Sequence, residues 1–228
     1  MIHCSVCGAP NDDLALLCGE CRSFLQGRVD AIDLFSTVWG LMEAPRRTLK
    51  KIALARHKNY AVILSALFGV ALVLAAFWWT TALRRYDHPG VLAGLSMPGG
   101  FVVGILWTSV TAGGMLLLTR TGRKKFSPAF AVTAYASVPV VLSLLLVFPV
   151  ELAVFGLDLF RANPHPMVID PVAYVALMFL DGLAVLWSVI LLLLGVQVIT
   201  GVPRGRALVV VVILLLPVAG AAMLLAGM

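Results

Sequence analysis

Five long apolar runs constrain this chain more than any other feature. They lie at about 60–83, 99–119, 127–155, 172–200 and 207–226. Each reaches the ~20 residues a helix needs to cross the ~30 Å hydrocarbon core of a bilayer. Inside that core a backbone N–H or C=O has no water to turn to, so a run of this length must satisfy its own polar groups as a helix. The expected fold is therefore an all-α membrane protein, with five transmembrane helices over residues 60–227. Charge content agrees: 61% of residues are hydrophobic and 12% charged, against ~25% charged in soluble domains.

The stretch ahead of the first run sets the direction of insertion. Arg46, Arg47, Lys50, Lys51, Arg56 and Lys58 crowd into the residues before Tyr60. With the N-terminus in the cytosol, fourteen basic residues fall in inner segments (up to residue 58, 120–125 and 204–206) and three, Arg84, Arg85 and Arg161, in outer ones. Basic residues concentrate on the cytosolic side of membrane proteins. The expectation is a multi-pass protein of a cell's inner (plasma) membrane, N-terminus cytoplasmic and C-terminus outside. The formal charge of +6 then serves topology and anionic lipid headgroups rather than nucleic acid. No charged start, apolar core and small-residue cleavage site is visible in the first thirty residues, so no cleavable signal peptide is expected.

All four cysteines, Cys4, Cys7, Cys18 and Cys21, lie in the first 21 residues, as two C-x-x-C pairs ten residues apart. That spacing turns two thiolates at a time toward one ion and predicts a closed, tetrahedral, structural zinc site. Residues 1–28 are too few to bury a core, so zinc is expected to hold this ribbon folded. Gly8, directly after the first pair, suits a turn with positive φ. The alternatives are a redox dithiol or an unmetallated tail. Arg22 and Arg28 are outnumbered by Asp12, Asp13 and Glu20 in this module, which argues against phosphate binding. The ribbon resembles those that begin many bacterial membrane proteins, and thiolates of this kind belong on a reducing, cytosolic side.

Between ribbon and membrane, residues 29–59 read as two helices. Ile32, Leu34, Phe35, Val38, Trp39, Leu41 and Met42 give the first a wide apolar face. It is too short to span, so it either lies in the interface with Trp39 at headgroup depth or packs on the membrane domain. Pro45 starts the second helix, where its missing N–H costs nothing.

Within the spans, Gly100-x-x-x-Gly104 and Ala112-Gly113-Gly114 offer small faces for close helix approach. Packing within the chain is expected from them, and a homo-oligomer is left open. Pro139 should kink the third span, with Ser137 and Thr133 hydroxyls meeting the freed carbonyls. Trp78 and Trp79 suit the far interface.

Several segments resemble the Yip membrane family: Phe35 through Ala53, which contains Ala44-Pro45-Arg46-Arg47; Phe126 through Pro139, with its Ala134-Tyr135-Ala136-Ser137-Val138-Pro139; and Trp187, Gly195 and Gly201. The resemblance covers about residues 30–226. It implies five spans, a cytosolic N-terminus and, in eukaryotic members that interact with Rab-type GTPases, a role in organising membranes.

Asp181 is the one acidic residue well inside a span, ~14 Å along its helix at ~1.5 Å per residue. An ionisable group there is a candidate intramembrane polar site, with Tyr135 and Ser137 as hydroxyl partners; its structural alternative is a hydrogen bond that fixes helix packing. Glu151 reads as nearer the outer end of the third span. His3, His57, His88 and His165 form no constellation, and no G-x-S-x-G, Walker-type loop, dinucleotide fingerprint or H-E-x-x-H occurs. No catalysis is expected. The leading function is a membrane scaffold or adaptor that presents the ribbon to a cytosolic protein partner. The alternative is a small transporter or ion- or proton-conducting protein using Asp181.

Overall fold

The computed structural model describes residues 2–12, 15–23, 25, 32–79, 89–120, 125–161 and 163–226. Arg28, the segment with Arg84, Arg85 and His88, and Arg123 and Lys124 lie outside the described residues. The chain begins with a short antiparallel pair, β1 (Ile2–His3) and β2 (Pro10–Asn11), in which Ile2 faces Asn11. Among the described residues, everything else of size is helical.

Two short helices form a collar. In α1 (Leu34–Glu43) the Asp33 carboxylate accepts from the Ser36 N–H at 2.8 Å, a side-chain N-cap. That N–H holds the carboxyl below its usual range. The second helix, α2 (Pro45–Leu54), opens on Pro45 as the sequence predicts. Its Leu49 and Ile52 are fully buried, and they join Leu41 of α1 in one apolar core with the membrane helices. The collar is thus packed onto the bundle. The outward face of α1 keeps Phe35, Trp39 and Met42 exposed, Phe35 at 85%.

The long helices follow. These are α3 (Ala61–Trp79), α4 (Pro89–Leu118), the three-piece segment α5 (Phe126–Ala136), α6 (Val138–Leu146) and α7 (Phe148–Phe155), then a 3-10 turn (Gly156–Phe160), the short α8 (Pro166–Ile169), α9 (Pro171–Thr200) and α10 (Arg204–Ala226). Among the described residues, Ala61–Trp79, Ser96–Leu118, Phe126–Phe160 and Pro171–Thr200 are long and apolar enough to cross a membrane. The fifth run of the sequence, α10, is not among those four. It packs on α9, α4 and α3, burying Ala207, Val210, Val211 and Leu214.

α9 is capped at both ends by its sequence. The Asp170 carboxylate accepts from the Val172 and Ala173 N–H groups, Pro171 fills the first position, and Gly201 closes the helix at φ 73°. The third segment breaks at Ser137, two residues before Pro139, and again at Val147, two before Pro149. Each proline thereby sits in a first helical turn, where no N–H is missed. The Ser137 hydroxyl donates to the Ala134 carbonyl at 2.7 Å, one of the roles expected of it.

α3 and α4 make the tightest pairing. A Cβ on Gly69 would collide with the Gly100 carbonyl and Gly104 backbone, and one on Gly104 with the Ser65 carbonyl and Gly69 backbone. The Gly100–Gly104 face is thus spent on packing within the chain, as expected. Gly114 meets Leu214 of α10, whereas Gly113 has open space.

Tyr135, fully buried, donates its hydroxyl to the Asn59 carbonyl at 2.7 Å and so ties α5 to the entry of α3. Tyr135→Phe removes one hydrogen bond without changing shape, and we expect it to cost ~1 kcal/mol. In thermal unfolding that is a drop of roughly 2–4 °C for a chain of this size; an unchanged midpoint would show that the bond contributes nothing.

Candidate metal centre, basic collar and intramembrane cavity

The ribbon builds its site from two like turns. Gly8 N–H donates to the Cys4 carbonyl at 2.9 Å, and Arg22 N–H to the Cys18 carbonyl at 3.0 Å. Each turn needs a left-handed residue after its second cysteine. Gly8 (φ 72°) supplies it in the first, as the sequence predicts, and Arg22 (φ 58°) in the second. The four thiol sulfurs lie within 4.8 Å of one another, Cys4 and Cys21 at 3.6 Å, Cys7 and Cys18 at 3.5 Å. No disulfide joins them. A tetrahedral shell with metal–sulfur bonds of ~2.3 Å sets its sulfurs ~3.8 Å apart, so one ion fits this cluster. The surroundings suit thiolates: Ser23 Oγ lies 3.0 Å from the Cys4 sulfur, and Asn11 Nδ2 and Val6 N donate to Cys18 and Cys4. The Ser23 hydroxyl, with the backbone N–H groups at Cys7 and Val6, holds the Cys4 thiol down to about 6.

The basic collar is largely engaged by protein. Lys50 Nζ pairs with Asp12 of the ribbon at 2.6 Å, both side chains about half exposed. Arg46 donates to the Gln197 side chain at 2.7 Å, near the end of α9, and Lys125 to the Ile199 carbonyl at 2.9 Å. Lys58 donates to the Ala55 carbonyl at 2.8 Å, and burial lowers its ammonium below the usual lysine range. These bonds gather the collar, the start of α5 and the end of α9 at one end of the bundle. Arg47 and Arg56 are exposed and Lys51 half-exposed.

A separate cavity of about 600 Å³ opens among α3, α6, α7, the 3-10 turn and α9. Its walls are almost wholly apolar, but Glu151, Asp181 and Ser143 reach it. The Ser143 hydroxyl donates to the Asp181 carboxylate. The Glu151 carboxyl lines the same wall as Asp181. Glu151 is 4% exposed, and among the described residues its Oε1 has no hydrogen-bond partner. Trp78, Phe148, Phe160 and Tyr174 line the same space.

A family model described as the Yip1 domain matches residues 39–226. The chain belongs to the Yip1 family. No curated protein matches it, and no solved structure does. The Yip1 match begins inside α1 and runs through α10, so the collar belongs to it from Trp39 onward and the four-cysteine ribbon lies ahead of it.

The structure distributes the sequence-predicted residues of this Yip1 protein among three places. Cys4, Cys7, Cys18 and Cys21 come together in one cluster. Arg46, Lys50 and Lys58 each bond a protein group. Asp181 does reach a polar site, but with Glu151 and Ser143 rather than Tyr135 and Ser137, which bond Asn59 and Ala134. Sequence reasoning placed Glu151 near the outer end of its span and left it unpaired. The signal for the pair was that both carboxylates interrupt otherwise apolar runs. Trp78, expected at the far interface, lines the cavity, while Trp79 is about half exposed.

Proposed function

We propose that this Yip1 family membrane protein is a non-catalytic scaffold, or adaptor, that holds a cytosolic zinc ribbon against the membrane surface. The observation that carries the reading is the collar: it is packed in the bundle's own core, and Lys50 pairs with Asp12 of the ribbon. A ribbon so placed is presented at a fixed height above the bilayer, where a cytosolic protein can engage it. The Yip1 family is not an enzyme family, which is in keeping with that role.

Zinc is the ion we assign to the cluster, because four thiolates in a closed tetrahedral set suit it. With α10 as a fifth crossing, the N-terminus is cytoplasmic and the C-terminus outside, and the basic residues at 46–58 and 125 share the inner face. Lys51 and Arg56, with the exposed Phe35, Trp39 and Met42 of α1, meet anionic headgroups and the interface. The membrane is the inner (plasma) membrane of a cell.

The test is affinity purification of the full chain from native membranes, wild type beside Cys18→Ser. A cytosolic protein that co-purifies in stoichiometric amount with wild type and is lost from Cys18→Ser supports the adaptor. Identical partner sets would remove the ribbon from the function. Asp181→Asn should leave the association intact; losing it there would favour the transporter reading instead.

A further inference from the structure

The cavity between α3, α6, α7 and α9 plays no part in the scaffold, yet it is built as a ligand site. Its volume of about 600 Å³ falls within the ~300–1,000 Å³ of small-molecule pockets, which pair apolar walls with a few placed polar groups. Two carboxylates face an apolar space, and among the described residues none that lines it is a lysine or arginine. Two carboxylates that share one apolar cavity are favoured by a proton or a cation beside them. Asp181 has the Ser143 hydroxyl as a donor. Glu151 Oε1, buried in the same wall, has none among the described residues, and a buried acceptor left unmade is costly. The group it lacks is a donor, and beside two acids the best donor is a cationic one. Trp78, Phe148, Phe160 and Tyr174 add aromatic faces that attract a cation and cover an apolar body.

We propose that this cavity binds a lipophilic amine: an ammonium group donating to Glu151 and Asp181, carried on an apolar, preferably aromatic, body that lies against Trp78 and Tyr174. The ligand is small enough to be enclosed among five elements of one chain, so no second copy is needed. The opening among membrane-spanning helices suits a compound that partitions into the bilayer first.

The experiment uses the purified full-length protein in lipid nanodiscs, with empty nanodiscs as the background. Isothermal titration with phenylbutylamine is compared with phenylbutanol, the neutral analogue of the same length. Saturable amine binding is expected, with the alcohol at least ~10-fold weaker, the loss of one charge-assisted hydrogen bond. Glu151→Gln keeps size and shape, and it should weaken the amine by a similar ~10-fold while leaving the alcohol unchanged. Absence of saturable amine binding overturns the proposal. So does an alcohol that binds as tightly as the amine, which would mark a cavity for any apolar chain. An amine affinity unchanged in Glu151→Gln overturns it too. Should that variant fail to fold, the amine and alcohol comparison on wild type decides alone.

Discussion

Cys18→Ser is expected to empty the ribbon of metal and unfold it while the helical bundle stands. Residues 2–25 have almost no core of their own: a two-residue strand pair and a few turns surround the four sulfurs. A module of that size folds because metal binding and folding are the same event. Three thiolates plus a hydroxyl make a far poorer site for a soft-ligand metal. The Lys50–Asp12 pair ties the ribbon to the collar, half exposed on both sides and worth no more than ~1 kcal/mol. Unfolding therefore stops at the ribbon. Elemental analysis should find about one zinc per wild-type chain and close to none in the variant. Limited proteolysis should then cut ahead of residue 32 in the variant alone, with helical circular dichroism unchanged. A variant that keeps its metal, or resists protease like wild type, would refute the metal-dependent fold.

Gly104→Ala should be among the most damaging single-methyl changes in the membrane domain, alongside Gly69→Ala. The added Cβ has no flexible side chain to push aside: it meets the Ser65 carbonyl and the Gly69 backbone on α3. The helices must part along their closest line, forfeiting packing between α3 and α4. Ordinary overpacking costs ~1–3 kcal/mol, and a backbone collision belongs at or above the upper end. Helix propensity pulls the other way by ~1 kcal/mol, since alanine is the better helix former; the collision outweighs it. Gly113→Ala supplies the control, because its Cβ would meet nothing within 4 Å and only the favourable propensity remains. Thermal unfolding in detergent should place Gly104→Ala well below wild type and Gly113→Ala at or above it. Equal midpoints for the two variants would mean that α3 and α4 do not approach this closely.

Much of this architecture was legible in residue order. Length and apolarity fix which segments cross a membrane, and the paired C-x-x-C spacing brought the four sulfurs together on paper before any geometry. Proline at residues 45 and 139 announced a helix start and a break, because a missing N–H and a fixed φ act locally. What the sequence hid was long-range. Arg46 and Gln197 are 151 positions apart, and nothing local distinguishes an arginine that meets a headgroup from one that meets an amide. Glu151 and Asp181 are each one acid in an apolar run; only the break at Val147, which re-aims α7, and the packing of α6 against α9 put them in one cavity. Arg22 was invisible for another reason: its left-handed backbone copies a turn that glycine makes in the first knuckle, and no residue type there gives it away.

α9 also acts as a spacer. Asp181 faces the cavity and Gln197 bonds the collar, sixteen positions apart on one unbroken helix. At ~1.5 Å per residue they stand ~24 Å apart along its axis. That is well beyond the ~7–10 Å within which substitutions usually interfere with one another. The protein therefore carries two separately adjustable ends on a single rod, and sequence drift at one leaves the other untouched.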